Sequence, residues 1–367
     1  MENIVLYRKY RPQNFSEVIG QNHVVQTLTN AIKAGSVSHA YLFSGPRGSG
    51  KTTMARIFAK AINCQNLRQF EPCDTCASCQ EIMRSKSIDL IEIDAASHTG
   101  VDDVRELIDG IKFAPVKSKY KIFIIDECHQ LSKSASNALL KTLEEPPAHA
   151  IFMLATTEAH KMIPTIVSRC QRFDFKRLQV PEIIKKLEFI LKKEGIKSES
   201  SALSLIALNA RGSFRDAESL LDTCISFSGK TGMVKTAEIK ELLGIVEVNQ
   251  IFQFIEYLLT KDAKGAIVFL HSLVDAGVDV QEFTRTLVFY LRQILLVKIN
   301  PSLLAADTSG FSAEEFSTMQ SQTKKLTEKE IQTMLELFID AENKIKYAII
   351  LSLPLELAIV DITHKEN

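Results

Sequence analysis

Residues 45–52 read GPRGSGKT, and each residue type suits one task. Glycines let backbone N–H groups turn toward an anion, and a helix starting at the far end adds partial positive charge. Lys51 would reach the β- and γ-phosphates of a nucleotide, and the Thr52 hydroxyl would ligate Mg²⁺. Gly45, Pro46, Arg47, Gly48, Ser49, Gly50 and Thr53 would complete the wrapping. The pattern G-x-x-x-x-G-K-[ST] also has its required context: the apolar run YLF precedes it, and TTMARIFAKAI follows at helical spacing.

A second chemical signal ends the run IFII. Asp126 and Glu127 follow it directly, and an acidic pair at the C-terminal end of a parallel strand faces the ligand crevice. Asp126 would position Mg²⁺, through water, and Glu127 would polarise the attacking water. The plainer reading is an N-cap pair for the next helix. Together the two motifs imply hydrolysis of ATP and not its storage.

The third signal is CQNLRQFEPCDTCASC, which holds Cys64, Cys73, Cys76 and Cys79. Their number and spacing suit a tetrahedral four-thiolate zinc site. On one straight helix, 73, 76 and 79 would form a slanting row unable to surround an ion. A turn led by Pro72 is therefore expected to present Cys73 and Cys76, with Cys79 opening the next helix and Cys64 closing the site from the end of the preceding one. Two disulfides in any of three pairings are the rival, disfavoured in a reducing compartment. Four thiolates leave no open position, so such a zinc would be structural. Cys128, Cys170 and Cys224 stand apart and read as core or motif residues.

These groups need a scaffold. YLF, LIEI, IFII, IFMLA and RFDF read as five strands, separated by helical patterns. Near-continuous apolar strands between helices indicate a parallel sheet covered on both faces. After about Leu178 the period turns helical. The expected organisation is an α/β domain over 1–178, with the cysteine module at about 64–79, a helical domain over 179–242 and a second helical domain over 243–367. The polar stretch DTSGFSAEE interrupts the last. Lys plus Arg equals Asp plus Glu at 44 each, so no global basic field announces nucleic acid, and any such contact must be local. The N-terminus has no signal-peptide pattern and no apolar run approaches a membrane span. A cytoplasmic protein without a membrane partner is expected.

Asp126-Glu127-Cys128-His129 spells DECH, a string shared with helicases, and Leu154-Ala155-Thr156-Thr157 could pass for another of their motifs. Those enzymes need a second α/β domain, which the helical period beyond Leu178 denies. The ordered set of P-loop, DECH, LATT, Ser168-Arg169-Cys170 and GSFRDA resembles AAA+ ATPases instead. More narrowly, YRKYRPQNFSEVIGQ, HAYLFSGPRGSGKT, IEIDAAS, NALLKTLEEPP and LATTEAHKMIPTIVSRCQRF resemble the gamma/tau family of bacterial DNA polymerase III, the ATPases of the sliding-clamp loader. The last helical block shares only length and pattern with it.

The resemblance implies roles for single residues. Thr156 matches the sensor-1 residue that contacts γ-phosphate or water. Arg215 matches the sensor-2 arginine reaching from a helical lid. Arg169 matches the arginine finger that enters a neighbouring subunit's site, and Arg11 lies in the strip near adenine. Lys141 is a candidate link between DNA and the catalytic site. The family carries a zinc module at the cysteine position. It also implies ATP, Mg²⁺ and Zn²⁺ as cofactors, a pentameric hetero-oligomer with delta and delta-prime subunits joined through a helical collar, a sliding clamp and primer–template DNA. The resemblance also places residues 95–103, AASHTGVDD, facing DNA, although His98 and Gly100 stand where many relatives are basic. A non-catalytic scaffold subunit would show a damaged P-loop or acidic pair, and a branch-migration motor would lack the cysteines. Ending at Asn367, the sequence is expected to lack the long extension of the family's tau form.

Overall fold

In a computed structural model of the chain, residues 4–97, 110–228, 232–242, 247–300 and 313–364 are described. It divides into two compact units, Met1–Thr236 and Ala237–Asn367, each taken by itself below.

The first unit begins with α1 (Leu6–Lys9), a 3₁₀ turn at Phe15–Glu17 and α2 (Asn22–Ala34). Then come β1 (Ala40–Ser44), α3 (Lys51–Ile62), α4 (Ala77–Met83), β2 (Leu90–Asp94) and β3 (Lys121–Asp126). After these run α5 (Lys133–Glu144), β4 (Ala150–Thr156), α6 (Pro164–Val167) and β5 (Gln171–Asp174). The five strands form one parallel sheet in the order β2-β3-β4-β1-β5. Every residue of β1 and β4 is buried, whereas β2 and β5, the edges, alternate with exposed positions.

Side-chain alternation splits the core into two layers. Tyr41, Phe43, Ile122 and Ile124 face α2 and α3, meeting Val24, Leu28, Met54 and Phe58. Leu42, Phe123, Ile125, Phe152 and Leu154 face the other way, onto Leu139 and Leu143 of α5 and Ile166 of α6. Phe123 and Phe152 stack across β3 and β4 at 5.4 Å between centroids. Truncating either to Ala would cost about 3–5 kcal/mol. Buried Asp89 pins the approach to β3, accepting hydrogen bonds from the Val116, Lys117 and Ser118 amides at 2.7–2.9 Å. Burial pushes its carboxyl up, and the three amides outweigh that and hold it below its ordinary value.

Helices α7 (Val180–Glu194), α8 (Ser200–Asn209) and α9 (Phe214–Ser228) complete this unit, burying Ile183, Leu187, Leu203, Ile206 and Leu221. Two dipeptides, β6 (Lys197–Ser198) and β7 (Met233–Val234), pair in parallel beside them. The sequence showed no sign of that ladder.

A boundary helix, α10 (Thr236–Leu242), leads to the second unit: α11 (Val248–Leu259), α12 (Ala263–Asp275), α13 (Val280–Ile299), α14 (Ala313–Lys325), α15 (Glu328–Ile345) and α16 (Leu353–His364). Phe254, Phe283, Leu287 and Phe338 centre its core. Buried Gln322 accepts from the Tyr290 hydroxyl at 2.7 Å and donates to the Phe252 carbonyl at 3.1 Å, so the polar group has partners in an apolar setting. No described helix is long and apolar enough to cross a membrane.

Candidate active site

The phosphate-type loop leaves the C-terminal end of β1 and closes where Lys51 opens α3. Gly50, at φ 97°, is the N-cap, a conformation that excludes ordinary side chains. Gly48, at φ 72°, lies against Ser213, whose hydroxyl a Cβ would strike. Its carbonyl accepts from the Phe214 amide at 3.2 Å, tying the start of α9 to the loop. Lys51, buried, donates to the carbonyls of Gly45 and Pro46 at 2.8 and 2.9 Å. Burial lowers its ammonium below the ordinary lysine value, against the pull of Glu127 and Asp126.

β4 lies between β1 and β3, so the ends of all three strands form one rim. There the Thr52 hydroxyl donates to Asp126 Oδ2 at 2.6 Å, bringing together the two groups expected at Mg²⁺. Burial raises the Asp126 carboxyl above its ordinary value, with the Thr52 hydrogen bond opposing. Glu127 sits in the left-handed region at φ 47°. Its carboxylate accepts from the Thr157 hydroxyl at 2.8 Å and the Thr157 amide at 3.2 Å.

Thr156 is fully buried, its hydroxyl 3.0 Å from His129 Nδ1 and accepting from the Glu158 amide at 3.0 Å. The acidic residue thus meets Thr157, while His129 Nδ1 lies near both the expected sensor Thr156 and, at 3.4 Å, Glu127 Oε2. His129 Nε2 lies 3.1 Å from a Glu158 carboxylate oxygen, and Glu158 pairs with Lys161 at 2.8 Å. Thr157 and His129 were not singled out from the sequence. The LATT string shows two hydroxyls in succession but not which of them turns toward Glu127.

The cleft in front of this rim has a volume of about 570 Å³, within the usual range of small-molecule sites. Residues 47–53 and the acidic pair line one part of it; Arg11, Gln13, Val18 and Ile19 line another. Arg11 and Arg215, both expected here, do line it, and so do Arg56, Lys186 and Glu218, which were not expected. The Arg215 guanidinium lies 5.1 Å from the Tyr7 ring centroid, a cation–π distance. Burial lowers the Arg11 guanidinium, and the charge of Arg56 adds to that. Glu218, only 5% exposed, has its carboxyl pushed up to about 7 by burial, with Lys186 and Arg11 opposing. Arg11, Arg47, Lys51, Arg56, Lys186 and Arg215 all line the cleft, a set of cations suited to a polyanion.

Arg169 lies outside this lining. It follows α6 on the surface, donating to Glu144 at 2.7 Å and to the Thr165 carbonyl at 2.8 Å. Lys141 is exposed on α5. Of the expected DNA-facing stretch, Ala95 to Ser97 are described and Ser97 is exposed; residues 98–103 lie outside the described residues.

The four cysteines converge. Their sulfur atoms all lie within 4.8 Å of one another, Cys73 and Cys79 at 3.9 Å. Zinc–thiolate bonds of about 2.3 Å span a tetrahedron with edges of about 3.8 Å, so the donor set fits that ion. Cys76 is the N-cap of α4 and Cys79 lies in its first turn, while Cys64 follows the end of α3. The Cys73 amide points at Cys64 Sγ (3.4 Å), and the Cys76 amide at Cys73 Sγ (3.3 Å). None of the seven cysteines is in a disulfide.

Three known families match successive stretches of the chain. Residues 20–179 match the family described as DNA polymerase III, delta subunit; residues 182–230 match DNA polymerase III clamp loader subunit, ATPase lid domain. Residues 234–367 match DNA polymerase III subunits gamma and tau domain III. The chain is 48% identical over 298 residues to DNA polymerase III subunit tau of Bacillus subtilis, covering 81% of this chain and 53% of that protein. It is 37% identical over 344 residues to DNA polymerase III subunit gamma of Buchnera aphidicola from Acyrthosiphon pisum, covering 94% of each. The chain spans about half the length of the tau relatives it matches. Among solved structures, the Thermotoga maritima RuvB Holliday junction branch migration motor superposes with a TM-score of 0.50 at 21% identity, over 68% of this chain and 79% of that one. That likeness is one of fold.

Proposed function

The chain belongs to the gamma/tau family of DNA polymerase III subunits, and from that membership we propose that it is an ATP-hydrolysing subunit of a bacterial clamp loader. The observation that carries this is the convergence of Lys51, the Thr52–Asp126 pair, Glu127 and Arg215 on one cleft. Lys51 and the loop amides would hold the β- and γ-phosphates, with Arg11 on the far wall. Thr52 and Asp126 would hold Mg²⁺, which when bound neutralises charge on the phosphate oxygens. Glu127 would take the proton of the attacking water. Thr156 would serve as sensor 1 through its buried hydroxyl, and Arg215 as sensor 2 from α9.

Arg169 would act on a neighbouring subunit's nucleotide, consistent with its surface position away from its own cleft. Cys64, Cys73, Cys76 and Cys79 would hold one structural zinc, supported by their mutual distances. The ATPase domain would cover 1–178 and the lid 179–242, while 243–367 would form a collar in a pentameric hetero-oligomer with delta- and delta-prime-type subunits. ATP binding would assemble a spiral that opens the sliding clamp. Primer–template DNA, gripped through phosphates by helix N-termini, would trigger hydrolysis and release in the cytoplasm.

The test is ATP turnover by the chain assembled with delta- and delta-prime-type subunits. Adding primed DNA and clamp together should accelerate it, and Lys51→Ala should abolish it by removing the charge that holds phosphate. Turnover indifferent to both additions would rule out clamp loading.

A further inference from the structure

The cysteine loop touches the nucleotide cleft at a distance from its own thiols. The 3₁₀ turn Phe15–Glu17 has no side-chain cap of its own at Asn14, so its first N–H groups need partners from elsewhere. Glu71, two residues before Cys73, supplies them. Its two carboxylate oxygens accept the Phe15 amide at 2.7 Å and the Ser16 amide at 2.8 Å. Glu71 is held in turn by reciprocal backbone bonds with Arg68, at 2.8 and 3.0 Å. A second tether runs parallel. Asp74 pairs with Lys60 of α3 at 2.5 Å, Lys60 being 2% exposed, and its other oxygen accepts from Asn14 Nδ2 at 3.4 Å.

The tethered strip is a wall of the cleft. Arg11, Pro12, Gln13, Glu17, Val18 and Ile19 all line it, and Phe15 between them is buried in the core. This wall stands apart in sequence from the phosphate loop, so a nucleotide whose phosphates occupy that loop presents its nucleoside to other parts of the cleft. We propose that Glu71 is a positioning residue for nucleoside recognition: it fixes the 11–19 wall against the cysteine loop, so that an ordered loop means a formed wall. The inference rests on the nucleotide reading of the cleft and assigns the cysteine module a task beyond its own stability.

The test uses the full chain carrying Glu71→Ala or Glu71→Gln. A fluorescent ADP analogue is titrated into each, and ADP and inorganic tripolyphosphate compete with it; tripolyphosphate engages only the phosphate loop. Glu71→Ala should weaken ADP about tenfold, the low end for hydrogen bonds to a charged group, with tripolyphosphate affinity and zinc content as in wild type. Glu71→Gln, which keeps one acceptor, should fall between. Unchanged ADP affinity in Glu71→Ala overturns the proposal. So does an equal loss for both competitors, which marks general loosening. A wild-type chain that binds neither ligand refutes the nucleotide reading itself, and this inference with it.

Discussion

Thr157 gives the Glu127 carboxylate two hydrogen bonds, one from its hydroxyl and one from its amide. Both bonds fall on Oε2, so they hold the carboxylate in one orientation, and freeing it from Thr157 lets it turn toward an attacking water. Glu127→Gln should therefore keep ATP affinity and lose about 10²–10⁴-fold in turnover, the usual worth of general-base catalysis. Thr157→Val removes the hydroxyl bond and leaves the amide bond. Basal hydrolysis by this variant should rise several-fold, within the ~1.5–3 kcal/mol that a hydrogen bond to a charged group is worth. Single-turnover measurements at saturating ATP decide it, and a Thr157→Val rate at or below wild type counts against the tether.

Arg169 is held by Glu144 in an ion pair that is one-third to one-half exposed. Such pairs contribute at most about 1 kcal/mol, so releasing the guanidinium to a neighbour is cheap. Arg169→Ala should leave the isolated chain's ATP affinity unchanged and reduce DNA-stimulated turnover of the assembly ~10³–10⁵-fold. Mixing Arg169→Ala with Lys51→Ala subunits checks the geometry. An Arg169→Ala subunit receiving its neighbour's finger should regain activity, and loss of ATP binding in Arg169→Ala alone would put the residue in its own site.

Metal analysis of protein purified without added zinc should find one zinc per chain. Cys76→Ser removes one of the proposed zinc ligands while keeping a side chain able to cap α4, so the metal should be lost and the thermal midpoint should fall by several degrees. Metal-free wild-type protein with intact thiols would remove the zinc from the account.

Glu218 supplies a pH signature. Its carboxyl, pushed up to about 7, keeps its proton in the folded chain after the unfolded chain has released it near the ordinary 4.5. Stability from this site therefore falls as pH rises from about 4.5 to 7 and stays low above that. Glu218→Gln, which cannot ionise, should match wild type near pH 4.5 and be more stable at pH 8 by roughly 2–4 kcal/mol. Thermal melts across this range test it; a gap that stays constant with pH would contradict the shift.

Features encoded by neighbouring residues were readable from the chain alone. The five strands showed as apolar runs, the phosphate loop as a glycine pattern between strand and helix, and the cysteine turn as a spacing no straight helix could satisfy. Contacts made by distant partners left no local mark. Glu71 looks like one more charge in a loop, yet its partners are the amides of Phe15 and Ser16. Arg215 was expected at the nucleotide, but its packing over Tyr7 was not. The β6–β7 ladder is two residues long, too short for any period to develop.

The strand order also sets a schedule for synthesis. β1 ends in the phosphate loop and lies between β4 and β5, so its backbone partners begin only at Ala150 and Gln171. On a ribosome adding about 5–20 residues per second, roughly ten seconds separate the emergence of β1 from that of its last neighbour. The cysteine turn closes within its own sixteen-residue stretch and need not wait for the sheet. A nascent chain can thus close the turn early, whereas the nucleotide cleft comes last, after α9 has left the exit tunnel with Arg215.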